Sequence, residues 1–134
     1  MQMKPALGLA DASRILEAAR AEAERNGWAV AIAVVDDGGH PLALARLDGT
    51  APVSSCIAME KARTSALGRR ESRLYEEMIN GGRTAFLSAP LVAALEGGVP
   101  VMVDGQVAGA VGVSGVKSDQ DAQIAKAGIQ SIAA

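Results

Sequence analysis

Apolar residues recur every three or four positions from Leu9 to Asn26, with Ala12, Ile15, Leu16, Ala19 and Ala23 on one stripe and Arg14, Glu17, Glu24 and Arg25 largely elsewhere. The spacing predicts an amphipathic helix. Gly8 is its expected N-cap, Asp11 suits the first turn, and Asn26-Gly27 supplies a left-handed stop. The pattern then changes. "WAVAIAVVDDGGHPLALARLDG" holds two β-rich runs around Asp36-Asp37-Gly38-Gly39 and reads as a hairpin, with Leu42, Leu44, Arg46 and Asp48 expected on one face of its second strand.

Pro52 fits the first turn of a second helix through "VSSCIAMEKARTSAL", and "GRRESRLYEEMIN" reads as a shorter, charged third helix ending at Asn80-Gly81-Gly82. From Gly82 to Gly98 the pattern fits a strand, a helical turn after Pro90 or a loop equally well. It breaks off at "VPVMVDGQVAGAVGVSG", two valine-rich runs around Asp104-Gly105, the signature of a type I′ turn. If Val103 faces Gln106, strict alternation puts Val99, Val101, Ala108 and Ala110 on one face and Met102, Val107, Val111 and Val113 on the other. Both faces are apolar, so these strands should be covered on both sides. A last helix follows in "SDQDAQIAKAGIQSIAA", with Ala122, Ala125, Ile129 and Ile132 inward. Ser118 is the expected N-cap, Asp121 its capping-box partner at N3, and Asp119 complements the helix dipole.

Composition narrows what such a chain can do. Its 134 residues, 49% of them apolar, suffice for one domain spanning 1–134. Trp28, Tyr75 and Phe86 are the only aromatic residues and the net charge is −2. Nucleic-acid binding, which calls for a basic face and stacking platforms, is therefore not expected. The single cysteine, Cys56, excludes an intrachain disulfide and suits a reducing cytoplasm. No apolar run approaches the ~18 residues of a membrane span, so no membrane partner is expected.

The candidate chemistry is sparse. Gly112-Val113-Ser114-Gly115 falls one residue short of the G-x-S-x-G nucleophile elbow, and the only histidine, His40, lies in the other hairpin. A phosphate loop is opposed by Asp119 and Asp121 and by the missing G-K-[ST] run. The backbone N–H groups of Ser114 and Gly115 are still placed to meet a small carboxylate. Arg46, Asp48 and Lys61 have two readings of equal standing: a pocket on which they converge, or a salt-bridge cluster tying helix to hairpin.

Taken in order, "AVVDDGGHPLALARLDGT", "IAMEKARTSA", "LEGGVPVMVDGQVAGAVGVSG" and "QDAQIAKAG" resemble the GlcG/HbpS family, which also includes the C-terminal domain of PduO-type proteins. The resemblance covers nearly the whole chain. It implies an α/β (α+β) domain with a central antiparallel sheet of about five strands flanked by helices, profilin-like, assembling into homo-oligomers, often octamers. It also implies haem or a related tetrapyrrole as ligand in some members. The motifs carry over onto Asp36, Gly39, His40, Arg46, Asp48, Lys61, Gly112, Ser114, Gly115 and Asp121, with His40 the candidate ligand to haem iron. The compact "NGGRTAFLSAPLVAALEGG" departs from the longer glycine-rich loop expected of relatives, which implies an altered pocket.

Two functions follow as expectations. One is an oligomeric small-ligand-binding protein for haem, with Arg46, Lys61, Ser114 and Gly115 around the ligand. The other is a cofactor-free isomerase or lyase for a small carboxylate or hydroxy acid, in which Arg46 or Lys61 anchors the carboxylate and His40 or Asp48 moves a proton.

Overall fold

The computed structural model describes residues 1–133. Four helices and four strands follow one another as α1 (Leu9–Arg25), β1 (Ala31–Asp36), β2 (Pro41–Arg46), α2 (Val53–Gly68), α3 (Arg73–Asn80), β3 (Gly98–Val103), β4 (Gln106–Ser114) and α4 (Ser118–Gln130). The strands form one antiparallel sheet in the order β2-β1-β4-β3. The α+β architecture is the expected one, with four strands among the described residues where about five were expected. The open segment before β3 contributes a 3₁₀ turn, Thr84–Ser88, and irregular chain rather than a strand. No helix among the described residues is long and apolar enough to cross a membrane.

Local chemistry accounts for the element ends. Gly8 caps α1, and Asp11 Oδ2 accepts the Gly8 N–H at 2.9 Å; Gly27 at φ +70° turns the chain out. Asp104 and Gly105 both have positive φ, 49° and 76°, as a type I′ turn requires. In the first hairpin, Asp36 Oδ1 accepts the N–H groups of Gly38 and His40, each at 2.9 Å, and Gly39 takes the left-handed position at φ +82°.

The two faces of the sheet are covered differently. Ile15 and Ala19 of α1 and Ile124 and Ala125 of α4 pack with Val30, Ile32, Val34, Val99, Val101, Val111 and Val113 in one fully aliphatic core. On the other face α2 lays Ala58, Ala62 and Ala66 against Ala31, Ala33, Val35 and Ala110. Small residues let this helix come very close. A Cβ on Gly112 would lie 2.0 Å from the Ala58 carbonyl oxygen, and one on Gly98 would lie 2.2 Å from that of Lys61. These two glycines are direct partners across β3 and β4, so together they form a bare patch on which the α2 backbone rests.

Two bulges correct the expected face assignments. Met102 pairs with Val107 but Val101 pairs with Gly109, which leaves Ala108 as an extra residue on β4. The alternation inverts there, so Val111 and Val113 join Val99 and Val101, whereas Ala110 turns to α2. The Ala108 carbonyl, freed from the ladder, accepts the Leu7 N–H at 3.0 Å, and bare Gly109 makes room for the Leu7 side chain. On β2 the extra residue is Leu42: Val34 pairs with Ala43 and Val35 with Pro41. Leu42 therefore packs on the α1 side while Leu44 is exposed, so the two do not share a face.

Candidate functional site

The residues singled out in the sequence fall into three places. His40 stands at the first hairpin turn, at the far end of β2 from Arg46, roughly 20 Å away by strand rise. The two cannot act on one small substrate. Arg46, Ala31 and Ser114 are consecutive partners across β2, β1 and β4, so Arg46 and Ser114 are about 10 Å apart at one end of the sheet. Lys61 reaches that same end from α2.

Lys61 is buried at 4% exposure, and its Nζ donates to the Val113 carbonyl at 2.9 Å and to Asp121 Oδ2 at 3.1 Å. Asp121, 2% exposed, accepts the Val116 N–H on Oδ1 at 3.2 Å. Burial pushes the Asp121 carboxyl above its ordinary range, outweighing the opposing pull of Lys61 and of the Val116 N–H. The pair joins α2 to α4 around the end of β4. It passes beneath Gly97, where a Cβ would lie 2.8 Å from Lys61 Nζ. Lys61 is thus committed to a pair with Asp121 of α4, and neither Arg46 nor Asp48 of the expected helix-to-hairpin cluster takes part in it.

This inward turn of Asp121 also corrects the expected cap of the last helix. The N-cap is Lys117, whose N–H donates to Gln120 Oε1 at 3.3 Å, and Ser118 is the first helical residue. Ser114 is buried beside the pair, whereas Gly115, at φ +144°, closes on Ala29: a Cβ there would lie 2.5 Å from the Ala29 carbonyl oxygen. These residues turn the chain tightly out of β4.

Arg46 and Asp48 are both exposed and line an open groove of about 500 Å³ with Arg20, Glu24 and Trp28. Arg20 is engaged there by Glu24 at 2.9 Å and Glu17 at 3.4 Å. Arg46 makes no ion pair among the described residues, so its guanidinium is the free cation of the groove.

His40 is exposed, and its ring lies over Gly38, where a Cβ would come within 3.3 Å of Cδ2. Around the same turn stand the exposed Leu67, which packs against Gly39, Arg69, whose Nη1 donates to the Asp37 carbonyl at 2.7 Å, and Lys4, paired with Asp37 at 2.6 Å. The hydrogen bond from Lys4 holds the Asp37 carboxyl below its usual range. An exposed imidazole at a turn that is also contacted by Arg69 and Leu67 is a donor that fits haem iron. His40 lines neither the Arg46 groove nor the cleft that holds Lys4 and Arg69. No group of three or more His, Cys, Asp or Glu side chains among the described residues is placed to hold a metal ion directly.

Comparison with known proteins adds the relationships. Residues 7–130 match the family model for haem degrading protein HbpS-like. Protein GlcG of Escherichia coli K12 is 60% identical over 114 residues, covering 85% of each chain. The crystal structure of a double mutant of Streptomyces reticuli HbpS superposes with a TM-score of 0.90 at 31% identity, covering all of this chain and 92% of that one. A crystal structure of a PduOC:haem complex superposes with a TM-score of 0.84 at 27% identity, covering 95% of both chains. The motif order and the four-stranded sheet agree with these matches, and the chain belongs to the HbpS-like family.

Proposed function

We propose that this protein is an oligomeric binder of haem or a related tetrapyrrole, acting in the cytoplasm in its sensing or degradation. The observation that carries the reading is the exposed His40 imidazole, at a hairpin turn that Arg69 and Leu67 also contact, in a chain that is similar over nearly its whole length to a protein solved with haem. Bound haem would supply a redox-active iron whose chemistry is set by its axial ligand and by how water is excluded. His40 would hold the iron through an imidazole nitrogen, Gly38 would leave room beside the ring, and Arg69 would supply positive charge toward a propionate. Walls around the haem would come from a second copy of the chain, which makes assembly part of the site. An exposed free thiol at Cys56 is in keeping with a reducing compartment.

Titrating the protein with hemin tests this. A saturable, shifted Soret band is expected, weakened at least tenfold in affinity in His40→Ala, with sedimentation showing an oligomer. An unchanged band in the variant removes His40 as ligand, and the absence of any saturable band removes haem.

Arg46 supports a second reading, in which a small carboxylate or hydroxy acid binds in the groove beside Trp28 and Asp48 moves a proton as general base. His40 and Lys61 have no part in it, the first by distance and the second by its commitment to Asp121. A thermal-shift screen of small acids is the test. A ligand at 100 times its Kd should stabilise by about 2.7 kcal/mol, and Arg46→Ala should abolish the shift.

A further inference from the structure

The compact segment before β3 builds a feature that neither reading uses. Ile79 and Asn80 of α3, Phe86 of the 3₁₀ turn, and Leu91, Ala94 and Leu95 line a cleft of about 320 Å³. Its floor is rigid: Phe86 stacks on Tyr75 with centroids 5.0 Å apart and planes inclined by 11°, and the Arg70 guanidinium lies 5.3 Å over the Tyr75 ring. Leu91 and Val92 also border a second hollow, of about 40 Å³, against α2. Thr64 lines that hollow. It is 1% exposed and its hydroxyl has no hydrogen-bond partner.

A buried hydroxyl left unpaired costs about 1–3 kcal/mol, so a group that satisfied it would bind with that advantage. The charges limit what the group can belong to. The one charged residue lining the larger cleft is Glu76, and its Oε1 already accepts the Glu96 N–H at 2.7 Å. In the hollow, Arg63 is paired with Glu60 at 3.2 Å. No unpaired cation lines either space, so neither suits a carboxylate or phosphate.

We propose that this crevice is a binding site for a small neutral apolar molecule, of one or two rings, carrying one hydroxyl or carbonyl oxygen that meets Thr64. The apolar body would lie on Phe86 and Ile79 under Leu91, and the oxygen would enter the hollow. A second copy of the chain docking over the cleft is the competing occupant. A flat protein surface would cover Val92, which is 81% exposed, but would not meet the hydroxyl of Thr64, which is 1% exposed.

Equilibrium dialysis against 2-naphthol and naphthalene, read by naphthyl fluorescence, tests the site in the full chain. Both probes are neutral at pH 7 and differ only in the hydroxyl. One saturable site per chain is expected, with 2-naphthol held about five- to tenfold more tightly than naphthalene. Thr64→Val, which keeps the shape, should erase that preference without weakening naphthalene binding or lowering the Tm. Ala94→Trp, which fills the cleft, should weaken both probes at least tenfold while leaving circular dichroism and sedimenting mass unchanged. No saturable binding, binding to Ala94→Trp as to the parent, or a preference that survives Thr64→Val overturns the proposal. So does a changed mass in Ala94→Trp, which would mark the cleft as a contact between copies. The hemin titration reports on His40 and is unaffected by any of these outcomes.

Discussion

Removing one member of the Lys61–Asp121 pair should cost far more than removing both. Each group is at least 95% buried and, among the described residues, each is the other's only ion-pair partner. Breaking such a pair from one side leaves a bare charge in the interior, which typically costs about 3–5 kcal/mol. A domain of this size is stable by roughly 5–15 kcal/mol in total, so Lys61→Met should lower the Tm by roughly 10–20 °C. Asp121→Asn keeps the acceptor for the Val116 N–H but strands the ammonium, with a similar penalty. In the double variant Lys61→Met/Asp121→Asn both charges are gone. What remains is chiefly the lost donor to the Val113 carbonyl, worth about 1–2 kcal/mol. Urea unfolding of the four proteins at pH 7, followed by circular dichroism, closes the cycle. The coupling should be at least about 2 kcal/mol. Single-variant losses that sum to the double-variant loss within about 0.5 kcal/mol would refute the assignment of the pair as an isolated buried ion pair.

Other outcomes follow from the same geometry. The Asp121 carboxyl titrates above its unfolded value, so the folded protein binds its proton more tightly. Its contribution is full below the unfolded pKa of about 3.9 and is lost as pH rises through the raised value; stability curves against pH should lose that component in Asp121→Asn. Asp37 behaves oppositely: its lowered carboxyl contributes above the unfolded pKa and loses that contribution as pH falls through the folded one. Lys4→Ala should move the Asp37 carboxyl upward in an NMR titration, and an unmoved carboxyl would deny the contact. Gly112→Ala drives a Cβ into the Ala58 carbonyl and should cost at least about 2 kcal/mol. Gly49→Ala, strained only by its φ of +84° with open space around it, should cost about 1–2 kcal/mol on urea unfolding.

The elements of this fold are legible in the sequence because their causes are local. The stripe of α1, the Asp104-Gly105 turn and the Pro52 start of α2 depend on residues a few positions apart. What the pattern could not show depends on one extra residue or on a distant partner. Period-two reasoning cannot detect that Ala108 and Leu42 stand outside the ladder, yet each inverts the faces beyond it. Asp121 carries the signature of a cap, and only the arrival of Lys61, sixty positions earlier, turns it inward. A signal was present in Gly97-Gly98: two glycines before a buried strand mark a place where another chain segment passes closely, and here that segment is α2 with its lysine. The candidate site was less legible still. His40 and Arg46 are six residues apart in the chain, but an extended strand carries them to opposite ends of β2.

The bare patch at Gly98 and Gly112 divides the side chains of α2 by their freedom to vary. Its underside is held at backbone contact distance, where a single added methyl has nowhere to go. The outer positions Cys56, Glu60, Arg63 and Leu67 touch no strand so closely. The helix is therefore a fixed bar with an interchangeable outer face. Its recognition properties can be rewritten by surface substitution alone, while the backbone that carries every outer side chain stays seated on two residues that have no side chain.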